Sequence, residues 1–347
     1  MANNLINYDF VKMKLLRNIS LPFVPIYHLV TWTRNKLYDL DIKTSKSYDL
    51  PVICVGNLSV GGTGKTPMIE YLITLLHVSN NVATLSRGYK RKTSGFQMAN
   101  ENSSAETIGD EPFQFYNKFR DKITVAVDSD RQNGIQKLQS NYDSLDVILL
   151  DDAFQHRKVR AGLNILLTTF NNLYVDDFVL PTGNLREPKS GADRANIIVV
   201  TKCPETLSEA EKSKIIIQLK PNPSQHVFFS SIKYANKVVN EKESIKLDKF
   251  ENFTLVTGIA NAKPLVDYLH SKNLNFKHLN FKDHHDFSEK DIELLSKENL
   301  IITTEKDFMR LRLNEALANK LYYLPIEVEI KNTLKFNNLI NSFVDPN

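Results

Sequence analysis

Four of the chain's twelve glycines fall within nine residues, in the segment GNLSVGGTGKTP from Gly56 to Pro67. Gly61, Gly62 and Gly64 let backbone N–H groups point into one concavity that suits phosphate oxygens. Lys65 then reaches the outer phosphates, and Thr66 offers its hydroxyl to a magnesium ion. The strict pattern puts a glycine five places before Gly64, where this chain has Ser59, but the core GGTGKT survives. A plain turn between strand and helix needs neither Lys65 nor Thr66, so nucleotide binding is the expectation.

Phosphate chemistry also needs an acid on the metal side, at the end of a neighbouring buried strand. DVILLDDAFQH supplies Asp151 and Asp152 directly after four apolar residues, which resembles a Walker B element. A transferase must in addition position an acceptor hydroxyl and take its proton. Two segments offer the groups: IGDEPFQF carries Asp110 and Glu111, and FKDHHDFS carries Asp283, His284, His285 and Asp286. By themselves both also read as a helix cap or a solvated turn. The histidines lack HExxH spacing and a thiolate partner, which argues against zinc. LSRGYKR and LPTGNLREP place Arg87 and Arg186 in glycine-containing loops, where guanidinium groups hold anions.

These residues need a scaffold, and the hydrophobic pattern names one. From Pro51 onward, PVICV, NVATL, KITVAV, DVILL, LNILL and NIIVV alternate with amphipathic segments, the pattern of a parallel sheet covered on both faces. An α/β fold of the P-loop NTPase type is expected over residues 51–225. HVFFSSIKY and ESIKL flank ANKVVNEK and suggest a two-stranded connector over 226–248. A second alternation then follows: FTLVTG, a helix from about Asn261, NFKHLNF, a helix from about Ser288, NLIITT and YYLPIEVEI. It predicts a smaller α/β domain over 249–347.

A length of 347 residues suits two domains, and 42% apolar with 24% charged residues is ordinary for a globular chain. The net charge of +4 falls short of a nucleic-acid footprint. Cys54 and Cys203 form no CxxC pair, and the opening MANNLINYDF lacks the plan of a secretory signal, so a reducing interior is expected. NISLPFVPIYHLVTWT runs sixteen residues without Asp, Glu, Lys or Arg, too short to span a bilayer. Pro22 and Pro25 divide it, with Phe10 to Ile19 as a preceding helical piece. Residues 1–50 therefore read either as helices lying in a membrane interface or as helices packed on their own domain.

Taken together, VGNLSVGGTGKTP, LSRGY, GDEP, DDAFQH, LPTGNLREP, DHHDF and TTEKD, in this order, resemble the tetraacyldisaccharide 4'-kinase family over nearly the whole chain. The resemblance implies transfer of phosphate from ATP to the 4' hydroxyl of a lipid A disaccharide precursor. Its ATP-binding segment matches Ser59, Val60, Gly61, Gly62, Thr63, Gly64, Lys65 and Thr66, so Ser59 is the family's own departure from the strict pattern. Asp110 matches the catalytic aspartate and His284 its partner, with His285 at a variable position. Glu111, Asp151 and Asp152 match acidic positions near magnesium, and Arg131 and Arg186 match arginines of the active site. The N-terminal helix is then expected on the cytoplasmic face of the inner membrane, with no nucleic acid and no obligate protein partner. Asn184 stands where proline is common, and Ala153 where glycine is common. VVTKCPE echoes a guanine-reading motif, which makes a P-loop GTPase or metallochaperone-like switch the alternative; Cys203 and Pro204 stand where that motif needs its aspartate. A membrane-bound scaffold with a degenerate site is disfavoured by intact Lys65, Thr66, Asp151 and Asp152.

Overall fold

The computed structural model describes residues 20–142, 144–283 and 285–345. The strands β1 (Val52–Asn57), β2 (Val82–Ser86), β3 (Gln97–Met98), β4 (Ile123–Val127), β5 (Val147–Asp151), β6 (Leu163–Thr169), β7 (Ile197–Thr201) and β8 (His226–Tyr234) belong to one sheet. A second sheet holds β9 (Lys237–Val239), β10 (Ser244–Lys246), β11 (Asn252–Thr257), β12 (Asn275–Asn280), β13 (Ile301–Thr303) and β14 (Leu321–Tyr323). The last strand, β15 (Ile326–Ile330), returns to the first sheet, whose order is β15-β8-β7-β6-β1-β5-β2-β4-β3.

Every residue of β1, β5 and β7 is buried, because helices cover both faces of the first sheet. Alternation along β1 divides the two cores. Val52 and Cys54 pack with Ile135 and Leu138 of the helix Arg131–Asn141 on one face. Ile53 and Val55 pack with Met68, Ile69 and Leu72 of the helix Lys65–Leu76 on the other. Side chains at period two thus serve opposite layers, and each fully buried Leu or Ile contributes about 1.5–3 kcal/mol.

Two segments run differently from the expected division. HVFFSSIKY does not form half of a two-stranded connector: it is β8, parallel to β7 and antiparallel to β15. YYLPIEVEI is broken after β14, and Ile326–Ile330 leaves the smaller sheet for the larger. The cause is apolar complementarity, since Phe228 of β8 meets Phe336 edge-on at 5.1 Å and Ile330, Phe336, Ile340 and Val344 fill the first sheet's core. ESIKL supplies β10, which pairs with β9 inside the second sheet.

At the N-terminus, Pro22 lies in a single 3-10 turn and Pro25 in the first turn of the helix Val24–Asp39, where a missing N–H costs little. Asn35 and Tyr38 of that helix are buried, and Val24 and Tyr27 pack half-buried against the core. Its other face shows Ile26, Leu29 and Val30 to solvent, beside Phe23 just before it. The expected helical piece at Phe10 to Ile19 lies outside the described residues.

Candidate active site

β1 ends at Asn57, and the chain turns through a glycine loop into the helix Lys65–Leu76. Gly64 takes φ +88°, a backbone conformation that L side chains adopt only with strain. It brings no capping side chain, so the first N–H groups of the helix face the loop's concavity, where an anion satisfies them. β7 braces the loop from below: Thr201 Oγ1 donates to the Thr63 carbonyl at 2.8 Å, and Lys202 Nζ to the Gly62 carbonyl at 2.6 Å. The lysine of VVTKCPE therefore supports the phosphate loop here.

Lys65 Nζ lies 3.4 Å from Asn57 Oδ1 and 3.7 Å from Asp152 Oδ1. Arg186 grips the same aspartate through two donors, at 2.8 and 3.2 Å, and donates to the Asn57 carbonyl at 2.9 Å. Burial opposes the Asp152 charge, but Lys65 and Arg186 outweigh it and hold its carboxyl below the ordinary range. Asp151 sits deeper. It accepts from Ser86 Oγ at 3.3 Å through Oδ2, while its buried Oδ1 has no hydrogen-bond partner. Burial, then the charges of Asp152 and Glu111, push it up to about 7. One aspartate is thus paired and ionised, and its neighbour has its ionisation displaced up to about pH 7 by burial and adjacent charge.

Arg131 lies beneath these carboxylates and is only 3% exposed. It donates to the Asp128 carbonyl at 2.7 Å and to the Asp151 carbonyl at 3.4 Å, so it fixes strand ends from inside. Arg87 is exposed in the loop after β2. That loop abuts the one carrying Asp110: Gly109 has φ +93°, and a Cβ there would come within 3.1 Å of the Gly88 backbone. Only glycine lets LSRGY and GDEP close on each other.

Asp110 and Glu111 open the helix Asp110–Phe119, where their charges suit the positive end of the helix dipole. Cations come to them from the second sheet. Arg310, on the helix Glu305–Leu311, makes an ion pair with Asp110 in which Nη2 meets Oδ2 and Nε lies 3.3 Å from Oδ1. Lys306 stands 3.8 Å from Glu111 and 4.0 Å from Asp283. His285 turns its ring to Asp291, 3.0 Å away, and onto Phe281 at 4.7 Å between centroids. His284, the expected partner of Asp110, lies outside the described residues.

Sequence reasoning missed Arg310 and Lys306, although TTEKD was among the segments carrying the resemblance. The available signal was two cations four residues apart behind the Thr304 cap, which place both charges on one helix face. It also missed Glu187. This carboxylate, 2% exposed, accepts from Asn35 at 2.6 Å, from Gln155 at 2.9 Å and from Arg194 at 2.8 Å. Tyr27 adds a bond from its hydroxyl to the Arg186 carbonyl at 3.0 Å. The N-terminal helix is thereby tied to the loop that holds Asp152.

A family model described as tetraacyldisaccharide-1-P 4'-kinase matches residues 16–345. A tetraacyldisaccharide 4'-kinase of Flavobacterium johnsoniae is 55% identical over 320 residues, covering 91% of this chain and 93% of its own length. That of Bacteroides fragilis is 45% identical over 337 residues, covering 90% and 89%. Among solved structures, LpxK from Aquifex aeolicus in complex with ATP is similar with a TM-score of 0.76 and 29% identity, over 95% of this chain and 99% of that one. The matched span takes in the glycine loop, the strand-end aspartates and the helix that brings Arg310 to Asp110, and this chain belongs to the tetraacyldisaccharide 4'-kinase family.

Proposed function

We propose that this chain transfers the γ-phosphoryl group of ATP to the 4' hydroxyl of a tetraacyldisaccharide 1-phosphate, forming lipid IVA in lipid A biosynthesis. The observation that carries the reading is the approach of Lys65 to Asp152, 3.7 Å apart, the lysine opening the helix that follows β1 and its glycine loop and the aspartate directly following the paired parallel strand β5. Phosphoryl transfer depends on placing a cation and strand-end carboxylates around the leaving phosphate. Ser59 to Thr66 wrap the phosphates, and Lys65 neutralises the outer oxygens as charge builds on them. Asp110 takes the proton of the acceptor hydroxyl, with His284 as its partner. Arg186 orients Asp152, and Arg87 meets anionic groups of the substrate at the mouth. Cys203 and Pro204 leave guanine without a carboxylate reader, which favours ATP.

Thr66, Asp151, Asp152 and Glu111 fit a magnesium ion. The buried Asp151 Oδ1 lacks a partner, and burial, followed by the charges of Asp152 and Glu111, raises the Asp151 pKa. Magnesium is ordinarily held by one or two carboxylates together with substrate phosphates, so these residues need not all bind it directly. When bound, the ion supplies positive charge to the phosphate oxygens.

The same reading puts the protein on the cytoplasmic face of the inner membrane. Phe23, Ile26, Leu29 and Val30 are each about 60% exposed on the N-terminal helix and the turn before it, next to Trp32. No described helix is long and apolar enough to cross a bilayer. Ile26→Glu combined with Leu29→Glu should release the chain from vesicles in a flotation assay while ATP binding persists, and undiminished flotation would reject this placement. The activity itself is tested by mass spectrometry of the lipid after incubation with ATP and magnesium. One added phosphate at the 4' position is expected, whereas ATP consumption with unchanged lipid would overturn the proposal.

A further inference from the structure

The helix Glu305–Leu311 makes three separate charged contacts with the first sheet's side of the cleft. Glu305 lies 3.1 Å from Lys118, which also pairs with Glu70 at 2.8 Å, so the helices of the phosphate loop, of Asp110 and of Arg310 share one buried charge cluster. Burial and the Glu70 charge push Glu305 up to about 7. Lys306 faces Glu111, and Arg310 faces Asp110. Asp307 turns inward instead, where it accepts from the Gly258 N–H at 2.8 Å and the Thr304 hydroxyl at 2.7 Å, fixing the helix to the end of β11. The helix is thus anchored by one charge and presents the other three across the cleft.

Arg310 does more than close a gap between sheets. Its guanidinium reaches both oxygens of Asp110, and its Nη1 donates to the His285 carbonyl at 3.2 Å. One side chain therefore touches both segments that supply the base groups, GDEP and DHHDF. It is 11% exposed, so the interaction is little screened. Two guanidinium bonds fix the plane of a carboxylate.

We propose that Arg310 is the positioning residue for Asp110: it orients the carboxylate toward the acceptor hydroxyl and makes transfer conditional on docking of the second sheet. The proposal rests on the reading of Asp110 as the proton acceptor. A residue of this kind acts on turnover and leaves ground-state binding alone, because it changes the base and not the pockets.

The test is a kinetic double-mutant cycle on the full chain with ATP, magnesium and the disaccharide lipid. Arg310→Met should lower kcat about thirty-fold with both KM values within about two-fold. Arg310→Lys should recover about ten-fold of that loss, since it restores charge but not the fork. In an Asp110→Asn background, Arg310→Met should cost no more than about two-fold further, because the group it positions is gone. Equal losses in both backgrounds would make Arg310 an independent strut and overturn the proposal while leaving Asp110 as the base. Unchanged or raised kcat in Arg310→Met would overturn it as well. A fully active Asp110→Asn variant would remove the base reading and this proposal together. Should Arg310→Met lose its thermal transition, the cycle is run with Arg310→Lys, where the same non-additivity is expected.

Discussion

The two halves of the cleft are assembled in different ways. On the phosphate side, Lys65 meets Asn57 eight residues away, and Arg186 meets Asp152 across thirty-four. On the acceptor side, Asp110 and Arg310 are separated by two hundred residues and sit on helices packed against different sheets, one on β4 and the other on β14. The phosphate side is held by one strand–loop–helix unit and the buried strands beside it, with Thr201, Lys202 and Arg186 bracing it. The acceptor side exists only where two sheets meet. Damage to the first should abolish nucleotide handling, and damage to the second should spare it.

Lys65→Ala gives the largest expected effect. Losing the ammonium that neutralises the departing phosphate should cost about a thousand-fold in transfer, by analogy with other preorganised charge donors. The thermal transition should barely move, since Lys65 Nζ is not part of the core; a quench-flow measurement beside a thermal melt checks both. Lys118→Met breaks the acceptor side from a distance. It strands Glu70 and Glu305 together in a buried place and should lower stability by about 3 kcal/mol, read from a urea titration. Lys118→Met should also lower kcat while the affinity for ATP holds.

A smaller effect separates the two aspartates of the phosphate side. The folded pKa of Asp151, about 7, stands above its ordinary 3.8, so the folded state holds more protons between those values. Stability of the nucleotide-free protein should therefore fall as pH rises through that window. Asp151→Asn should remove this slope and gain about 2 kcal/mol over the native chain at pH 8 relative to pH 5, measured without magnesium. Asp152 is already paired by Lys65 and Arg186, and its folded pKa lies below the ordinary value. Asp152→Asn should instead lose stability that is present at neutral pH and disappears on acidification.

What could be read from the sequence follows the same divide. GGTGKT and DVILLDD are local patterns whose chemistry is complete within a dozen residues, so the phosphate loop and the strand-end acids were legible from spacing alone. Six strands of the first sheet, β1, β2, β4, β5, β6 and β7, were legible for a similar reason, since strands covered on both faces read as continuous apolar runs. The return of β15 to the first sheet was not, because nothing in YYLPIEVEI says which of two apolar surfaces its second half will join. That choice was made by Phe228 packing with Ile330 and Phe336, which lie about a hundred residues further along the chain. Arg310 escaped notice because its role depends on Asp110 lying opposite it. Glu187 escaped because a lone Glu in LREP gives no sign of the Asn35, Gln155 and Arg194 donors that converge on it.

The division of labour between the two sides is tested most directly by Asp110→Asn. Nucleotide binding by fluorescence titration and single-turnover transfer at saturating ATP are measured on the same preparation. The expected result is an unchanged Kd for ATP with transfer reduced by about a hundred- to a thousand-fold. Loss of both together, or of neither, would contradict an acceptor side that acts on the hydroxyl and leaves the phosphates to Lys65.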